Sequence, residues 1–217
     1  MPAQTGHRGP SAAVTYTDGN LGASRRRNTA FGKKRMTQPA DKDAALQFVL
    51  DRIAIEDCLT RYSHAVDRYD PELLRGVYWP DATDDHVFVR GGRDQAVEWI
   101  MESVKSQDQA MHSLSNMLIR IEGSEARVET YFNSYHRVRG RDGTPKDILM
   151  AGRYLDRMEK RDGEWRIADR KVAMDWWRNF SDSADWHRGL FGTKIEVGKR
   201  GDADPSAALF GDRLHRR

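Results

Sequence analysis

The sequence predicts an α+β fold in which one curved antiparallel or mixed sheet wraps around helices from the first half of the chain. Two observations support this prediction. Apolar residues recur at helical spacing between residues 42 and 106, and from residue 111 onward they alternate with a period of two. Helices followed by a run of antiparallel strands are typical of α+β domains, in which the helices cover one face of the sheet.

Three helices are expected in the first half of the chain. The first covers residues 42–69, and Pro71 is well placed to begin a short second helix, because a proline at the first helical position loses no hydrogen bond. Trp79-Pro80-Asp81 is expected to end that helix, residues 85–90 to form a strand, and residues 93–106 to form the third helix. The apolar stripe of the first helix consists of Leu46, Val49, Leu50, Ile53, Ile55, Cys58, Leu59, Tyr62 and Val66.

Four long strands are predicted in the second half. Their ranges are 111–121, 126–139, 147–160 and 164–177. Glycine-containing turns separate them, and Asp162-Gly163 is the strongest of these signals, because Asp-Gly favours the tight turns that join antiparallel strands. The strands are therefore expected to form consecutive hairpins.

Both ends of the chain differ in composition from the middle. Residues 1–39 are predicted to form a disordered basic leader, residues 40–180 the ordered domain, and residues 181–217 a tail or a flap over a cavity. Residues 1–36 contain seven Lys or Arg and one acidic residue, a net charge of +6, whereas the remainder is mildly acidic. The leader could contact phosphate, act as a targeting signal, or be absent from a protein that begins at Met36. This distribution does not predict a nucleic-acid-binding fold, so no nucleic-acid partner is expected.

Several functional classes find no support in the sequence. Cys58 is the only cysteine, so no internal disulfide is possible and a reducing cytoplasm is the expected compartment. No apolar run approaches the roughly 20 residues that cross a bilayer, so no membrane partner is expected. Metal-binding histidine motifs, dinucleotide fingerprints and P-loops are absent from the sequence, and we predict neither a metal nor a cofactor.

Polar residues interrupt the apolar faces that should point into the fold. The alternation places His112 on one face with Leu114, Asn116 and Leu118, and it places Arg170 with Trp176. Asp67 lies at the rim of the buried stripe of the first helix, near Tyr62. An apolar pocket with a few convergent polar groups is the usual form of a small-molecule site. The residues expected to bind the substrate are Phe132, Ser134, His136, Met150, Tyr154, Arg170 and Met174.

These residue types suit proton transfer. A histidine can accept a proton from carbon or oxygen, and a buried aspartate can orient the ring and stabilise the imidazolium. Tyr62 could donate a hydrogen bond to a developing oxyanion, and Arg170 offers a fixed positive charge. Structural roles remain open for the same residues: an inward histidine can be a satisfied core residue, Asp67 could pair with His64, and Arg170 could pair with Asp156.

Four segments carry a resemblance to a known family. They are AIEDCLTRYSHAVDRYD (54–70), WPDA (79–82), AMHSLSN (110–116) and RDGEWRIADRKV (161–172). On these segments, residues 45–190 resemble the SnoaL-like proteins of the nuclear-transport-factor fold. Within that group they are most similar to scytalone dehydratase, hexachlorocyclohexane dehydrochlorinase and bile-acid 7α-dehydratase.

The resemblance implies a cone-shaped α+β barrel that forms homodimers or homotrimers and catalyses cofactor-free elimination from a hydrophobic ring compound. The family's catalytic Asp–His dyad matches Asp67 and His112, the helix tyrosine of the bile-acid enzyme matches Tyr62, and the arginine of the dehydrochlorinase matches Arg170. Val66 stands where scytalone dehydratase has one of its paired tyrosines, so water activation by such a pair is not expected.

We therefore predict a cofactor-independent lyase. Its catalytic residues are expected to be Asp67, His112 and Tyr62, and the leaving group is expected to be water, halide or formaldehyde, with its departure assisted by Tyr62, His136 or Arg170. Three alternatives remain: an isomerase that uses the same dyad, the non-catalytic small subunit of a ring-hydroxylating dioxygenase, and a binding module for a hydrophobic ligand or protein partner.

Overall fold

The computed structural model describes residues 41–181, 189, 191–194 and 196–211. The predicted basic leader, residues 1–39, lies outside the described residues, as do residues 182–188 and 212–217 of the predicted tail.

Two helices meet at a sharp corner that the local sequence explains. Helix α1 (Lys42–Arg68) ends at Tyr69, which adopts the left-handed conformation (φ 59°) often found just past a helix end. Helix α2 (Pro71–Gly76) begins immediately afterwards, where the Asp70 carboxylate accepts a 2.9 Å hydrogen bond from the backbone N–H of Leu73. The end of α1 is thus fixed by the residues that start α2.

A third helix and a short C-terminal helix complete the helical part. Helix α3 (Arg93–Lys105) begins after Gly92, close to its predicted bounds. Helix α4 (Pro205–Phe210) follows a single 3₁₀ turn at Gly201–Ala203. Among the helices of the described residues, none combines the length and the apolar content that a membrane-spanning segment needs.

The strands form one curved mixed sheet that does not close into a barrel. Its order is β2-β1-β6-β5-β4-β3; β1 runs parallel to β6, and the other neighbours are antiparallel. The predicted α+β fold class is confirmed. The strands are β1 (Tyr78–Asp85), β2 (Arg90–Gly92), β3 (Gln109–Glu122), β4 (Glu125–Arg139), β5 (Pro145–Arg161) and β6 (Glu164–Ser181).

The predicted strand at residues 85–90 is wrong. The strand is β1, which buries Tyr78, Trp79, Ala82 and Asp84 while it pairs with β6. Residues 86–89 form the turn to β2, and this turn carries the apolar residues that suggested a strand. Pairing with β6, which sequence alternation does not report, decides which of the two segments is extended.

Two bulges reverse faces that simple alternation assigned. Asn116 (φ 43°) is an extra residue in β3, so Leu118 is 66% exposed and Ile119 only 1%, the reverse of the predicted arrangement. A second bulge in β6 pairs Trp176 with Ala151, and Trp176 is 45% exposed. The inward placement predicted for Asn116, Leu118 and Trp176 is therefore wrong.

Only the second half of the predicted stripe on α1 belongs to the core. Ile55, Cys58, Leu59, Tyr62 and Val66 are buried against the sheet. Apolar residues in the first three turns remain about half exposed: Leu46, Val49, Leu50 and Ile53. Helical periodicity reports an apolar face, but it does not say how far along the helix that face is covered.

Gly152 in β5 is a position where close packing of the sheet requires glycine. A Cβ atom at this position would overlap the carbonyl oxygen of Ala173 and would lie 2.9 Å from Cζ of Phe132. Glycine in a strand interior often marks such a close approach. It lets the Phe132 ring lie against the sheet.

We expect Gly152→Ala to lower the free energy of unfolding by about 1–3 kcal/mol, because the added methyl group forces β6 or Phe132 to move. Urea unfolding of the variant and of the parent protein measures this difference in stability. Gly76→Ala is the matched control, since a Cβ there meets nothing within 4 Å and the substitution should be neutral or slightly stabilising. Equal stability of the two variants would contradict the packing argument.

Candidate active site

One carboxylate joins the end of α1 to the outermost strand of the sheet. Asp67 Oδ2 accepts a 2.8 Å hydrogen bond from the backbone N–H of His112, and Asp67 Oδ1 lies 2.7 Å from His112 Nδ1. The two side chains are only 8% and 9% exposed. Because an ionised carboxylate can only accept hydrogen bonds, the ring nitrogen that faces it must carry the proton.

This contact fixes the tautomer of His112. With Nδ1 protonated, Nε2 has a free lone pair in the neutral ring. His112 lines a cavity, so that lone pair is available to a molecule bound there. The pair has the arrangement of a general base and the carboxylate that orients it.

The cavity has a volume of about 310 Å³ and is lined mainly by apolar side chains. Its walls come from the inner face of the sheet, from α1, from α3 and from the turn between β1 and β2. The predicted site residues on its walls are Tyr62, His112, Phe132, Ser134, His136, Met150, Tyr154 and Met174. The structure thus brings eight residues from five different elements to one space.

His136 lies beside His112 in a defined protonation state. The two rings are 5.2 Å apart and nearly perpendicular. The Gln107 amide nitrogen donates to the carbonyl oxygen of Ser103, so Gln107 Oε1 accepts from His136 Nδ1 at 2.7 Å. Burial, reinforced by His112, lowers the pKa of His136 to about 3. His136 is therefore neutral, with an unprotonated Nε2.

Two polar atoms on the cavity wall are left without a partner in the described residues. They are Ser134 Oγ and His136 Nε2, which are buried and unpaired. Ser134 and His136 lie two residues apart on β4, on the same face of the strand. Buried polar atoms are nearly always hydrogen-bonded, so these two atoms indicate where a polar group of a ligand can bind.

The family model of the SnoaL-like domain matches residues 47–171 of this chain, which is more than half of its length. The chain belongs to the SnoaL-like domain family. No curated protein matches it.

Solved structures share the fold of this SnoaL-like domain at low sequence identity. A type 2 hexachlorocyclohexane dehydrochlorinase (LinA) is 18% identical, covers 67% of this chain and 99% of its own, and superposes with a TM-score of 0.60. A Novosphingobium aromaticivorans protein assigned as a scytalone dehydratase is 22% identical, with coverages of 70% and 97% and a TM-score of 0.55. The Kribbella flavida protein Kfla4162 is 17% identical, with coverages of 60% and 95% and a TM-score of 0.55. Identities this low establish the shared fold alone.

Arg170 does not lie on the cavity wall of the SnoaL-like domain. Its guanidinium is fully buried and forms two 2.7 Å hydrogen bonds with Asp156, the ion pair that was the structural alternative. It lies 4.1 Å from the ring centre of Tyr62 and 4.2 Å from that of Tyr154. Burial opposes its charge, but Asp156, Tyr78 and Tyr62 outweigh burial and hold the pKa of Arg170 well above the usual value. Arg170 thus packs against the rings of Tyr62 and Tyr154 without lining the cavity.

Phe132, Tyr154 and Tyr62 form an aromatic wall of the cavity, and the buried guanidinium of Arg170 packs against its two tyrosines. Phe132 stacks on Tyr154 with ring centres 4.5 Å apart, and Tyr62 meets Tyr154 edge to face at 5.4 Å. Burial raises the pKa of the Tyr62 hydroxyl, with Arg170 opposing it, so Tyr62 remains protonated. The wall is apolar and rigid, with a protonated hydroxyl at its inner edge.

The sequence analysis missed Gln107, Trp99 and His86, which also line the cavity. His86 pairs with Asp84 at 3.3 Å. The available signal was the spacing of Asp84 and His86 across the start of the predicted strand at residues 85–90, because residues two apart in an extended segment share a face.

We expect Asp156→Asn to lower the free energy of unfolding by about 3–5 kcal/mol, because it leaves the Arg170 charge buried without a counter-ion. The matched control is Asp175→Asn, which breaks the exposed pair of Asp175 with Arg153 between the same two strands. That control should cost about 1 kcal/mol or less. Urea unfolding compares the two, and equal losses would contradict a special role for the buried pair.

The depressed pKa of His136 makes stability depend on pH. The unfolded chain, with a histidine pKa near 6.5, takes up the proton before the folded chain does. The stabilisation is therefore complete above pH 6.5 and is lost as the pH falls toward 3, by on the order of 2 kcal/mol at pH 5. We expect His136→Gln to lose less stability than the parent between pH 7 and pH 5 in urea unfolding. Equal losses of stability in the variant and the parent would show that burial does not lower the pKa of His136 in the folded protein.

Proposed function

We propose that the protein is a cofactor-independent lyase that removes a proton from a hydrophobic cyclic or aromatic small molecule and so expels a leaving group. One observation carries the proposal: both oxygens of Asp67 bind His112, one at its backbone N–H and one at Nδ1. A neutral histidine has one donor and one acceptor nitrogen, and Asp67 takes the donor Nδ1, which leaves the acceptor Nε2 for another group. This double contact also fixes the direction in which Nε2 points.

His112 is the proposed base. Proton abstraction by Nε2 turns the ring into an imidazolium, and the Asp67 carboxylate at 2.7 Å stabilises the charge as it forms. General base catalysis of this kind contributes roughly 10²–10⁴-fold to a rate. Both side chains are largely buried, which strengthens the interaction between carboxylate and ring.

Ser134 and His136 are proposed to bind a hydroxyl group of the substrate. A substrate hydroxyl can donate to the unprotonated Nε2 of His136 and accept from Ser134 Oγ, which would satisfy both buried atoms. A hydrocarbon without a polar group would leave both atoms unpaired, at a cost of about 1–3 kcal/mol each. The substrate class that fits best is therefore a ring compound with an oxygen substituent.

The aromatic wall supports a ring-containing substrate. Phe132 and Tyr154 form one side of the cavity, and Val66, Ile148, Met150 and Met174 supply further apolar surface. A volume of about 310 Å³ lies at the lower end of the range for small-molecule sites, so a one-ring compound fits better than a fused polycyclic one.

Water, halide and formaldehyde are the leaving groups that we propose. Solved neighbours named as a dehydrochlorinase and a scytalone dehydratase support elimination as the reaction class. We further propose that the protein acts in the cytoplasm as a homodimer or homotrimer, with residues 1–39 as a basic leader and residues 181–217 as a C-terminal tail or flap. Light scattering on the purified protein tests the oligomeric state.

The test begins with the parent protein and a panel of one-ring β-hydroxy ketones, alicyclic halides and arylpropanoid diols. Release of water, halide or formaldehyde is followed by mass spectrometry and halide assay. With any compound that turns over, we expect His112→Gln to lower kcat by roughly 10²–10⁴-fold, because the base is lost. Asp67→Asn should lower kcat as well, because the ring is no longer held in one tautomer.

The matched control is His64→Gln, which replaces a histidine of α1 that packs against Phe210 outside the cavity. It should leave kcat unchanged. Turnover in His112→Gln within a few-fold of the parent would refute the proposed base. Tight binding of panel compounds without turnover, unaffected by His112→Gln, would favour a binding module, and return of the proton to the same compound would favour an isomerase.

A further inference from the structure

A second histidine–carboxylate pair lies on the same cavity. His86 Nδ1 is 3.3 Å from Asp84 Oδ1, and the other Asp84 oxygen accepts a 2.7 Å hydrogen bond from the Tyr78 hydroxyl. Asp84 is buried, whereas His86 is partly exposed and lines the cavity. The ring of Trp99 on α3 lies 5.6 Å from the His86 ring.

The order of the strands places the two histidines at opposite ends of the sheet that lines the cavity. His112 belongs to β3 at one edge of the sheet, and His86 follows β1, which with β2 forms the other edge. Both line one cavity because the sheet curves around it. The two rings therefore face the cavity from opposite walls, with the residues of β4, β5 and β6 between them.

Both pairs are built in the same way. In each, one carboxylate oxygen is occupied by a fixed donor, the backbone N–H of His112 in one case and the Tyr78 hydroxyl in the other. Burial raises the pKa of Tyr78 well above its usual value, so its hydroxyl keeps its proton and donates to Asp84. The second oxygen of Asp84 is then directed at Nδ1 of His86, which leaves Nε2 of that ring for a ligand.

The turn that carries His86 is held in a strained conformation. The backbone N–H of His86 donates to the carbonyl oxygen of Val89 at 2.8 Å, and Val87 has a φ of 64°. That region is unfavourable for a β-branched residue. Strain of this kind persists where the surroundings fix a chain segment, and it clusters at functional sites.

Elimination of water requires an acid that the dyad of Asp67 and His112 does not supply. His136 is neutral, Arg170 lies behind the aromatic wall, and Tyr62 is a buried hydroxyl with a raised pKa. Each of these groups is a poor source of a proton at neutral pH. His86 is the cavity-lining group with an orienting carboxylate and a ring nitrogen that these contacts leave unused.

We propose that His86, oriented by Asp84, is the catalytic acid that protonates the leaving group, an inference that rests on the proposed elimination. His112 Nε2 takes the proton from carbon, and the C–H electron pair becomes the new double bond. The bond from carbon to the leaving oxygen breaks with its electron pair, and that oxygen takes the Nε2 proton of the His86 imidazolium. His112 ends protonated and His86 neutral, and exchange with water restores both.

The test compares two probes that differ only in their need for an acid. Both 4-phenoxybutan-2-one and 4-(4-nitrophenoxy)butan-2-one lose a phenol on β-elimination. The nitrophenolate leaves readily as an anion, whereas phenoxide, whose conjugate acid has a pKa of about 10, needs a proton as it leaves. We expect His86→Asn to slow the phenoxy compound at least about tenfold more than the nitrophenoxy compound, because only the first depends on the acid.

The other variants separate this proposal from the proposed function. His112→Gln should slow both probes equally, and His64→Asn should affect neither. Equal slowing of both probes by His86→Asn, or no slowing, would overturn the role of His86 while leaving the lyase intact. Thermal melting of each variant identifies a loss that comes from unfolding.

If the parent protein accelerates neither probe, elimination fails for this compound class, and 4-nitrophenol binding then decides on His86. A bound phenolate oxygen against Nε2 should shift the ¹⁵N resonance of that atom, and His86→Asn should weaken binding by about tenfold or more, the loss expected when a charge-assisted hydrogen bond is removed. An unshifted resonance with unchanged affinity would overturn the assignment of His86 to the ligand.

Discussion

The Asp67 carboxylate is the constraint on which the candidate site depends. It is buried at the end of α1 and bridges two atoms of His112 on the edge strand β3. A buried carboxylate is costly unless its oxygens are hydrogen-bonded, so helix and strand must keep this relative position. The corner at Tyr69 and Asp70 ends α1 one residue beyond Asp67. Helix termination, strand placement and the tautomer of His112 are thus consequences of one local arrangement.

The buried ion pair of Arg170 and Asp156 has a comparable structural role on the side of the aromatic wall that faces away from the cavity. Arg170 and Asp156 join neighbouring strands β6 and β5, and the guanidinium lies against Tyr62 and Tyr154. The charge fixes the rings without reaching the cavity. In the proposed function these tasks fall to separate groups: the aromatic surface contacts a ring, the unpaired polar atoms on β4 bind an oxygen substituent, and the histidines held by carboxylates transfer protons.

The sequence predicted the elements better than the contacts between them. Periodicity located α1, α3 and the four long strands because it reports which face of an element is apolar. It could not reveal the bulge at Asn116, which inverts the face of Leu118, because the extra residue is defined only by pairing with β4. The contact between Asp67 and His112 spans 45 residues and followed from the family resemblance rather than from local pattern. His86 was missed because its turn is apolar enough to resemble a strand. For Arg170 the sequence allowed either a place in the site or an ion pair with Asp156, and only the position of Asp156 distinguishes them.

The tautomer of His112 is the property that tests the dyad most directly. We would record ¹⁵N–¹H correlation spectra of the histidine rings at neutral pH, assigning His112 by its absence in His112→Gln. We expect a protonated Nδ1 with a slowly exchanging, strongly downfield proton and an unprotonated Nε2, and we expect that proton resonance to disappear in Asp67→Asn. A ring that is protonated at Nε2, or that averages between tautomers regardless of Asp67, would contradict a histidine poised to accept a proton from a bound substrate.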